Sequence, residues 1–196
     1  SVYGDEKTLP KIESRVGNCL SPYAVSKKAN ELYANVFADV YGLKIIGLRY
    51  FNVFGPRQDP DGQYAAVIPL FVKGIIKRTP VFINGDGNQT RDFTFVENAV
   101  QMNVRSMLTD NSEAVNKVYN VAIGENFSVN ELYLACKEYL KSDFEPTYRE
   151  ERKGDVRDSL ADITLAKTLL GYMPTKKFED GLIETIEYFT NLYTSK

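Results

Sequence analysis

With 196 residues, 43% apolar and 26% charged, and a net charge of -2, the chain can bury a sizeable core and offers no electrostatic case for nucleic acid or an anionic membrane. It contains no histidine, which removes serine–histidine catalysis and most metal chemistry. Cys19 and Cys136 are too few and too far apart in sequence for a disulfide framework and read as free thiols, and no apolar run approaches the roughly 20 residues of a membrane helix, so a cytoplasmic setting is expected.

Val2-Tyr3-Gly4 reads as the end of a buried strand running into a turn. Domains rarely begin in mid-strand, so the chain reads as truncated. Residues 5–20 are polar and punctuated by Pro10, Gly17 and Asn18, which predicts a surface loop. Ser21-Pro22 then supplies a helix N-cap and a first-turn proline. Ala29, Leu32, Tyr33, Val36, Phe37, Val40 and Tyr41 recur at threes and fours as one apolar stripe, and Gly42 closes the helix. Leu43 to Phe51 is apolar and β-branched enough for a buried strand.

After Gly55-Pro56 the character changes. A helix is predicted from Ala65 to Ile76 despite Pro69, then strands at Val81–Ile83 and Asp92–Val96 around a Gly/Asn/Asp turn, and a helix from Glu97 to Leu108. Val118–Ala122 reads as a strand, and Ser128-Val-Asn-Glu131 as a capping box opening a helix to Leu140. Pro146 to Arg149 is extended and 150–157 is charged loop. A helix from Asp162 to Leu170 ends at Gly171, and a final amphipathic helix uses Phe178, Leu182, Ile183, Ile186 and Phe189. Strands alternating with helices predict an α/β fold with a parallel sheet.

Tyr23-x-x-x-Lys27 is the candidate active pair. Four residues apart on a helix, the two side chains share a face, and an ammonium close to a phenol favours the phenolate, which can take a proton from a hydroxyl. Spacing alone does not single it out, because Tyr3–Lys7, Tyr133–Lys137 and Tyr172–Lys176 repeat it. Context does. Tyr23 lies in the first turn of a capped helix, with Tyr3-Gly4-Asp5 twenty residues before it and Arg49-Tyr-Phe-Asn52 some twenty residues after Lys27.

Val2-Tyr-Gly-Asp5, Leu20-Ser-Pro-Tyr-Ala-Val-Ser-Lys27, Leu48-Arg-Tyr-Phe-Asn-Val-Phe-Gly-Pro-Arg57, Ala65-Ala-Val-Ile-Pro69, Gly85-Asp-Gly-Asn-Gln-Thr-Arg-Asp-Phe93 and Gly154-Asp-Val-Arg157 follow one another in chain order. This series resembles the extended short-chain dehydrogenases, the NAD-dependent epimerase/dehydratase family, over essentially the whole chain. Within that family it looks closest to the UDP-N-acetylglucosamine 4-epimerases. The resemblance implies the C-terminal part of a Rossmann-type parallel sheet plus a small α/β substrate-binding domain, with the first βαβ units missing. Residues 1–54 would be the remnant of the NAD-binding domain, and 55–196 mainly the nucleotide-sugar domain, with a segment near 95–125 returning to the Rossmann part.

The resemblance also implies roles. Tyr23 matches the catalytic base and Lys27 its cofactor-holding partner, with Tyr50 and Phe51 beside the nicotinamide of NAD. Asn52 matches an amide on the substrate diphosphate or sugar; read without the family it is an Asx turn at a strand end. Ala66 and Val67 match a helix start that cradles the diphosphate, against a plain core helix. Phe82 matches the aromatic packed on uracil, against a core residue. Arg91 and Arg152 match the diphosphate arginines and Asp155 the acid on the uridine ribose, against surface ion pairs. Ser159 matches the position that sets sugar size, where a small residue admits an N-acetyl group. Ser1 stands where related 4,6-dehydratases and decarboxylases carry glutamate, which favours epimerisation. Dehydration or decarboxylation on the same scaffold, and a non-catalytic nucleotide-sugar-binding module, are the alternatives.

Two parts of the family pattern are missing: the glycine-rich dinucleotide turn, and a serine or threonine whose position falls just before residue 1. The isolated chain is therefore expected to be inactive, with UDP-sugar as ligand and a homodimer as the parent state.

Overall fold

In the computed structural model, which describes residues 1–61, 66–151 and 156–194, the local signals in the sequence set most of the helix ends. Helix α1 (Pro22–Tyr41) opens with the Ser21 hydroxyl accepting the Ala24 N–H and closes at Gly42, whose φ of 65° suits a residue without a Cβ. Helix α2 (Val67–Lys77) starts two residues later than expected. This puts Pro69 in its first turn, where an N–H has no partner in the helix to lose. Helices α3 (Val96–Leu108), α4 (Val129–Tyr139), α5 (Thr164–Leu170) and α6 (Phe178–Thr194) follow. The capping box at Ser128 and Glu131 forms as the sequence predicts, and Gly171 ends α5 in the left-handed region.

Eight short strands pair in twos among the described residues. The pair that organises the site is β1 (Ile46–Tyr50) with β6 (Lys117–Val121). They are parallel, in register from Ile46 opposite Lys117 to Tyr50 opposite Val121. Between them in sequence, β2 (Val53–Phe54) pairs in parallel with β5 (Thr94–Phe95). β3 (Phe82–Asn84) pairs in parallel with β8 (Thr147–Arg149), and β4 (Thr90–Arg91) runs antiparallel to β7 (Phe127–Ser128).

Two buried clusters result. One gathers Phe54, Phe71, Phe95, Leu132, Ile186 and Phe189 around α2, α4 and α6. The other gathers Tyr3, Phe51, Met102, Tyr119, Val121 and Tyr172 around β1, β6, α3 and α5.

Three expectations are corrected, and the apolar stripe of α1 is found uncovered. Val2–Tyr3 is buried but forms a turn, with the Gly4 N–H on the Ser1 carbonyl, rather than the end of a strand. The loop over 5–20 is pinned inward: Lys11 is 4% exposed, and its backbone exchanges hydrogen bonds with Leu160 and Asp162. The stretch Asp92–Val96 is no single strand. Asp92 turns its carboxylate into the interior, so β4 ends before it, β5 starts after it with another partner, and α3 begins at Val96. Finally, Leu32, Tyr33, Val36, Val40 and Tyr41 of α1 stand exposed, because the side of the helix nearer this chain carries Glu31, Ala34 and Ala38 instead.

Gly181 marks the tightest approach between α6 and β5. A Cβ built there would lie 2.6 Å from Cγ of Phe95, a ring 2% exposed. Overpacking should outweigh the helix preference of alanine, so Gly181→Ala is expected to destabilise by about 1–2 kcal/mol, read as a lower urea midpoint at unchanged slope.

Candidate active site

The N-cap at Ser21 fixes where α1 begins and so places Tyr23 in its first turn and Lys27 one turn on. The Lys27 ammonium lies 5.1 Å from the centroid of the Tyr23 ring, within cation–π range. Tyr23 is 60% exposed, so its hydroxyl is open to a ligand. Ser26 Oγ donates to the Tyr23 carbonyl at 2.8 Å and stays on the helix.

A cavity of about 730 Å³ opens between α1 and β1. It collects seven of the residues singled out in the sequence: Tyr23, Lys27, Tyr50, Phe51, Asn52, Arg91 and Ser159, with Ser1 also on its wall. Strand β1 and the two residues that follow it deliver three of these, Tyr50, Phe51 and Asn52. The Tyr50 hydroxyl donates to Asn103 Oδ1 of α3 at 2.9 Å, and the Phe51 N–H extends the strand pairing to the Val121 carbonyl at 3.0 Å. At Asn52 the chain turns with φ 26°, a conformation asparagine tolerates better than most residues. Its Nδ2 donates to the Asp92 carbonyl at 3.2 Å, and its carbonyl accepts the Thr94 N–H at 3.2 Å. Asn52 therefore bends the chain at a positive φ with its side chain bonded across to Asp92 rather than to its own turn, and it stands on the cavity wall.

Arg91 is half-buried, its Nη1 donating to the carbonyls of Thr90 and Arg157 at 2.8 and 3.1 Å. Ala66, Val67 and Phe82 do not line this cavity. Ala66 occupies the N-cap of α2 with no side-chain cap for the helix N–H groups. Phe82 is 45% exposed rather than core, and the Arg149 guanidinium lies 4.9 Å from its ring centroid, steadied by Nε on Asn84 Oδ1 at 2.6 Å. Arg152 and Asp155 lie outside the described residues. Gly85 and Gly87 take φ of 66° and 75° in a turn leading into β4, not into a helix, so they form no dinucleotide cradle.

Sequence reasoning passed over two groups. The first is Arg49, whose Nε and Nη2 grip both oxygens of Glu31 on α1 at 2.7 and 2.9 Å, and whose Nη1 meets the Tyr3 hydroxyl at 3.0 Å. Burial weighs against the Glu31 charge, but Arg49 holds its carboxyl below the usual range. The second is Asp92, fully buried, which accepts the N–H groups of Ile123, Gly124 and Ala161. A charged residue beside Phe93 in an otherwise apolar run was the one available signal for it.

The model of the NAD dependent epimerase/dehydratase family matches residues 1–122, more than half of the chain. The chain belongs to this family. A UDP-glucose 4-epimerase of Mycolicibacterium smegmatis is 35% identical over 191 residues, covering 97% of this chain and 60% of that protein. Among solved structures, a UDP-N-acetylglucosamine 4-epimerase of Methanobrevibacter ruminantium, in complex with UDP-N-acetylmuramic acid, is 41% identical with a TM-score of 0.90, covering 97% of this chain and 60% of that one. A UDP-glucuronic acid 4-epimerase of Bacillus cereus, in complex with UDP-glucuronic acid and NAD, is 32% identical with a TM-score of 0.91, covering 98% and 60%. The chain thus spans about 60% of the length of these family members.

The two roles of Asn52 separate by substitution. Asn52→Ala loses the bond to Asp92 and strains a positive φ, and is expected to destabilise by about 1–2 kcal/mol in urea melts. Asn52→Gly relieves the backbone and is expected to recover about half of that.

Proposed function

We propose that the full-length protein carrying this chain is an NAD-dependent nucleotide-sugar 4-epimerase that interconverts UDP-N-acetylglucosamine and UDP-N-acetylgalactosamine. The observation that carries this reading is the meeting of Tyr23, Lys27, the strand end at Tyr50–Asn52, Arg91 and Ser159 on one cavity. The domain division follows the same line. Residues 1–54 and the segment near 95–125 belong with the cofactor side, and most of 55–196 with the nucleotide-sugar side. The two buried clusters support this by separating along a similar boundary.

The residues proposed for the nicotinamide end fit the cofactor: Tyr23 and Lys27 from α1 and Tyr50 and Phe51 from the end of β1 line the same cavity, and Lys27 is close enough to Tyr23 to serve both it and a ribose. When bound, NAD supplies a reversible hydride acceptor. Tyr23 takes the proton from the sugar 4-hydroxyl as the C4–H bond breaks, and the Lys27 ammonium steadies the phenolate. Asn52, Arg91 and Arg152 hold the diphosphate, the backbone at Ala66 and Val67 adds helix N–H groups, and Phe82 with Asp155 holds the uridine. With the nucleotide clamped, the 4-keto sugar turns over, so that hydride returned from the cofactor would reach the opposite face of C4 while Tyr23 gives the proton back to O4. Binding energy from the nucleotide end retains the intermediate. Ser1 on the cavity wall brings no carboxylate for elimination, and Ser159 on the same wall leaves room for an N-acetyl group. The parent enzyme is proposed to act as a homodimer.

NMR of the full-length enzyme with UDP-N-acetylglucosamine should show the 4-epimer accumulating, and Tyr23→Phe should slow it by at least about 100-fold. A keto product of lower mass would instead mean dehydration or decarboxylation, and would defeat the epimerase reading. Ser159→Tyr is expected to remove turnover of the N-acetylated sugar while sparing UDP-glucose.

A further inference from the structure

Asp92 is joined to three separate stretches of chain, at 123–124, 161 and 52. Oδ1 accepts the Ile123 N–H at 3.1 Å, and Oδ2 accepts those of Gly124 at 3.1 Å and Ala161 at 3.3 Å. Its own carbonyl accepts Asn52 Nδ2 at 3.2 Å. Asp92 leads to three cavity residues: Arg91 is its chain neighbour, Asn52 is bonded to its carbonyl, and Ser159 is two residues from Ala161, which its carboxylate holds. These residues come from positions 52, 91 and 159, so no local element fixes their spacing. Asp92 does, its carboxylate accepting from the 123–124 and 161 segments and its carbonyl from Asn52.

We propose that Asp92 is a positioning residue that sets the mutual placement of Asn52, Arg91 and Ser159, and that its ionisation state is transmitted to the substrate end of the cavity. The inference rests on the nucleotide-sugar reading for its consequence on binding, but not for the coupling itself. An ionised Asp92 accepts from all three N–H groups as a full charge, whereas protonation places a donor on one of its two oxygens and weakens it as an acceptor. Burial pushes the Asp92 carboxyl up to about 7, against the pull of the three N–H donors, with the nearby Glu125 charge adding to the rise. The other titratable group facing it is Tyr172, which is fully buried and donates its hydroxyl to the Ala122 carbonyl at 2.9 Å. The switch would thus operate near neutral pH.

The test follows ¹H–¹⁵N spectra of the full-length protein from pH 5 to 9. The amides of Ile123, Gly124 and Ala161 are expected to titrate with one shared midpoint near 7. The Asn52 side-chain amide, Arg91 Nε–H and Ser159 amide should follow that midpoint in the wild type and lose it in Asp92→Asn. With UDP-N-acetylglucosamine as probe, Asp92→Asn should raise KM about tenfold with kcat within about twofold. Absence of a shared midpoint overturns the proposal. So does titration of the three amides while Asn52, Arg91 and Ser159 stay still, since the carboxylate then only holds the fold. If Asp92→Asn does not fold, the wild-type titration decides alone. If the wild type does not bind the UDP-sugar, the proposed function fails and the spectra still decide the coupling.

Discussion

The placement of α1 depends on Arg49. The apolar side of the helix stands exposed and a cavity lies between it and β1, so packing alone does not set its rotation. The guanidinium does, with two bonds to Glu31, one to the Tyr3 hydroxyl and one to the Glu13 carbonyl, while stacking 5.0 Å from the Tyr3 ring. Glu31 lies one turn beyond Lys27 and two turns beyond Tyr23, so a planar fork anchored in β1 fixes the direction in which the active pair faces. Desolvating two charges offsets most of the attraction between them, so the pair adds little to stability. Its contribution is orientation.

The same network reaches further. The Tyr3 hydroxyl donates to Asn120 Oδ1 in β6, and Asn120 Nδ2 donates to the carbonyls of Lys11 and Asp162. Asn120 and Tyr3 are buried, and every one of these groups finds a partner from a distant part of the chain. Low dielectric around such a chain of bonds penalises any break in it, which makes the register between β1, β6 and the start of α5 sharp. Asp92 is a second buried charge, bonded to segments that carry other cavity residues. In the proposed function the first network orients proton chemistry and the second orients ligand grip, and both use buried charge because apolar contacts tolerate sliding.

What the residues revealed in advance divides along the same physical line. Signals that act within a few residues were legible: the cap at Ser21, the capping box at Ser128 and Glu131, the left-handed stops at Gly42 and Gly171, and the alternation of helices with parallel strands. The cavity's membership was legible through the order of motifs, which assigned Tyr23, Lys27, Asn52, Arg91 and Ser159 before any geometry. Groups whose partners lie far off in sequence were not. Arg49 looked like part of a strand, Lys11 like loop surface and Asp92 like one position in a strand, because nothing local says that their partners are Glu31, Leu160 and Ala161. The apolar stripe of α1 was legible, but its exposure was not. Periodicity tells which face is apolar, but not what covers it.

This separation bears on how one scaffold serves different sugars. The proposed proton-transfer pair sits on a long helix whose start is capped and whose rotation is clamped, so its geometry is insulated from changes elsewhere. The residues proposed to choose the substrate sit outside regular structure or at its edges: Asn52 in a positive-φ turn, Arg91 at the end of a two-residue strand, Ser159 in the stretch before Ala161. Irregular segments accept substitution without disturbing a ladder of backbone hydrogen bonds, so specificity can shift there while the chemistry stays in place. Such segments would also drift relative to one another. Asp92, with its carboxylate on Gly124 and Ala161 and its carbonyl on Asn52, removes that freedom at one point; in the proposed function this leaves side-chain size at Ser159 as a variable separate from the grip on the diphosphate.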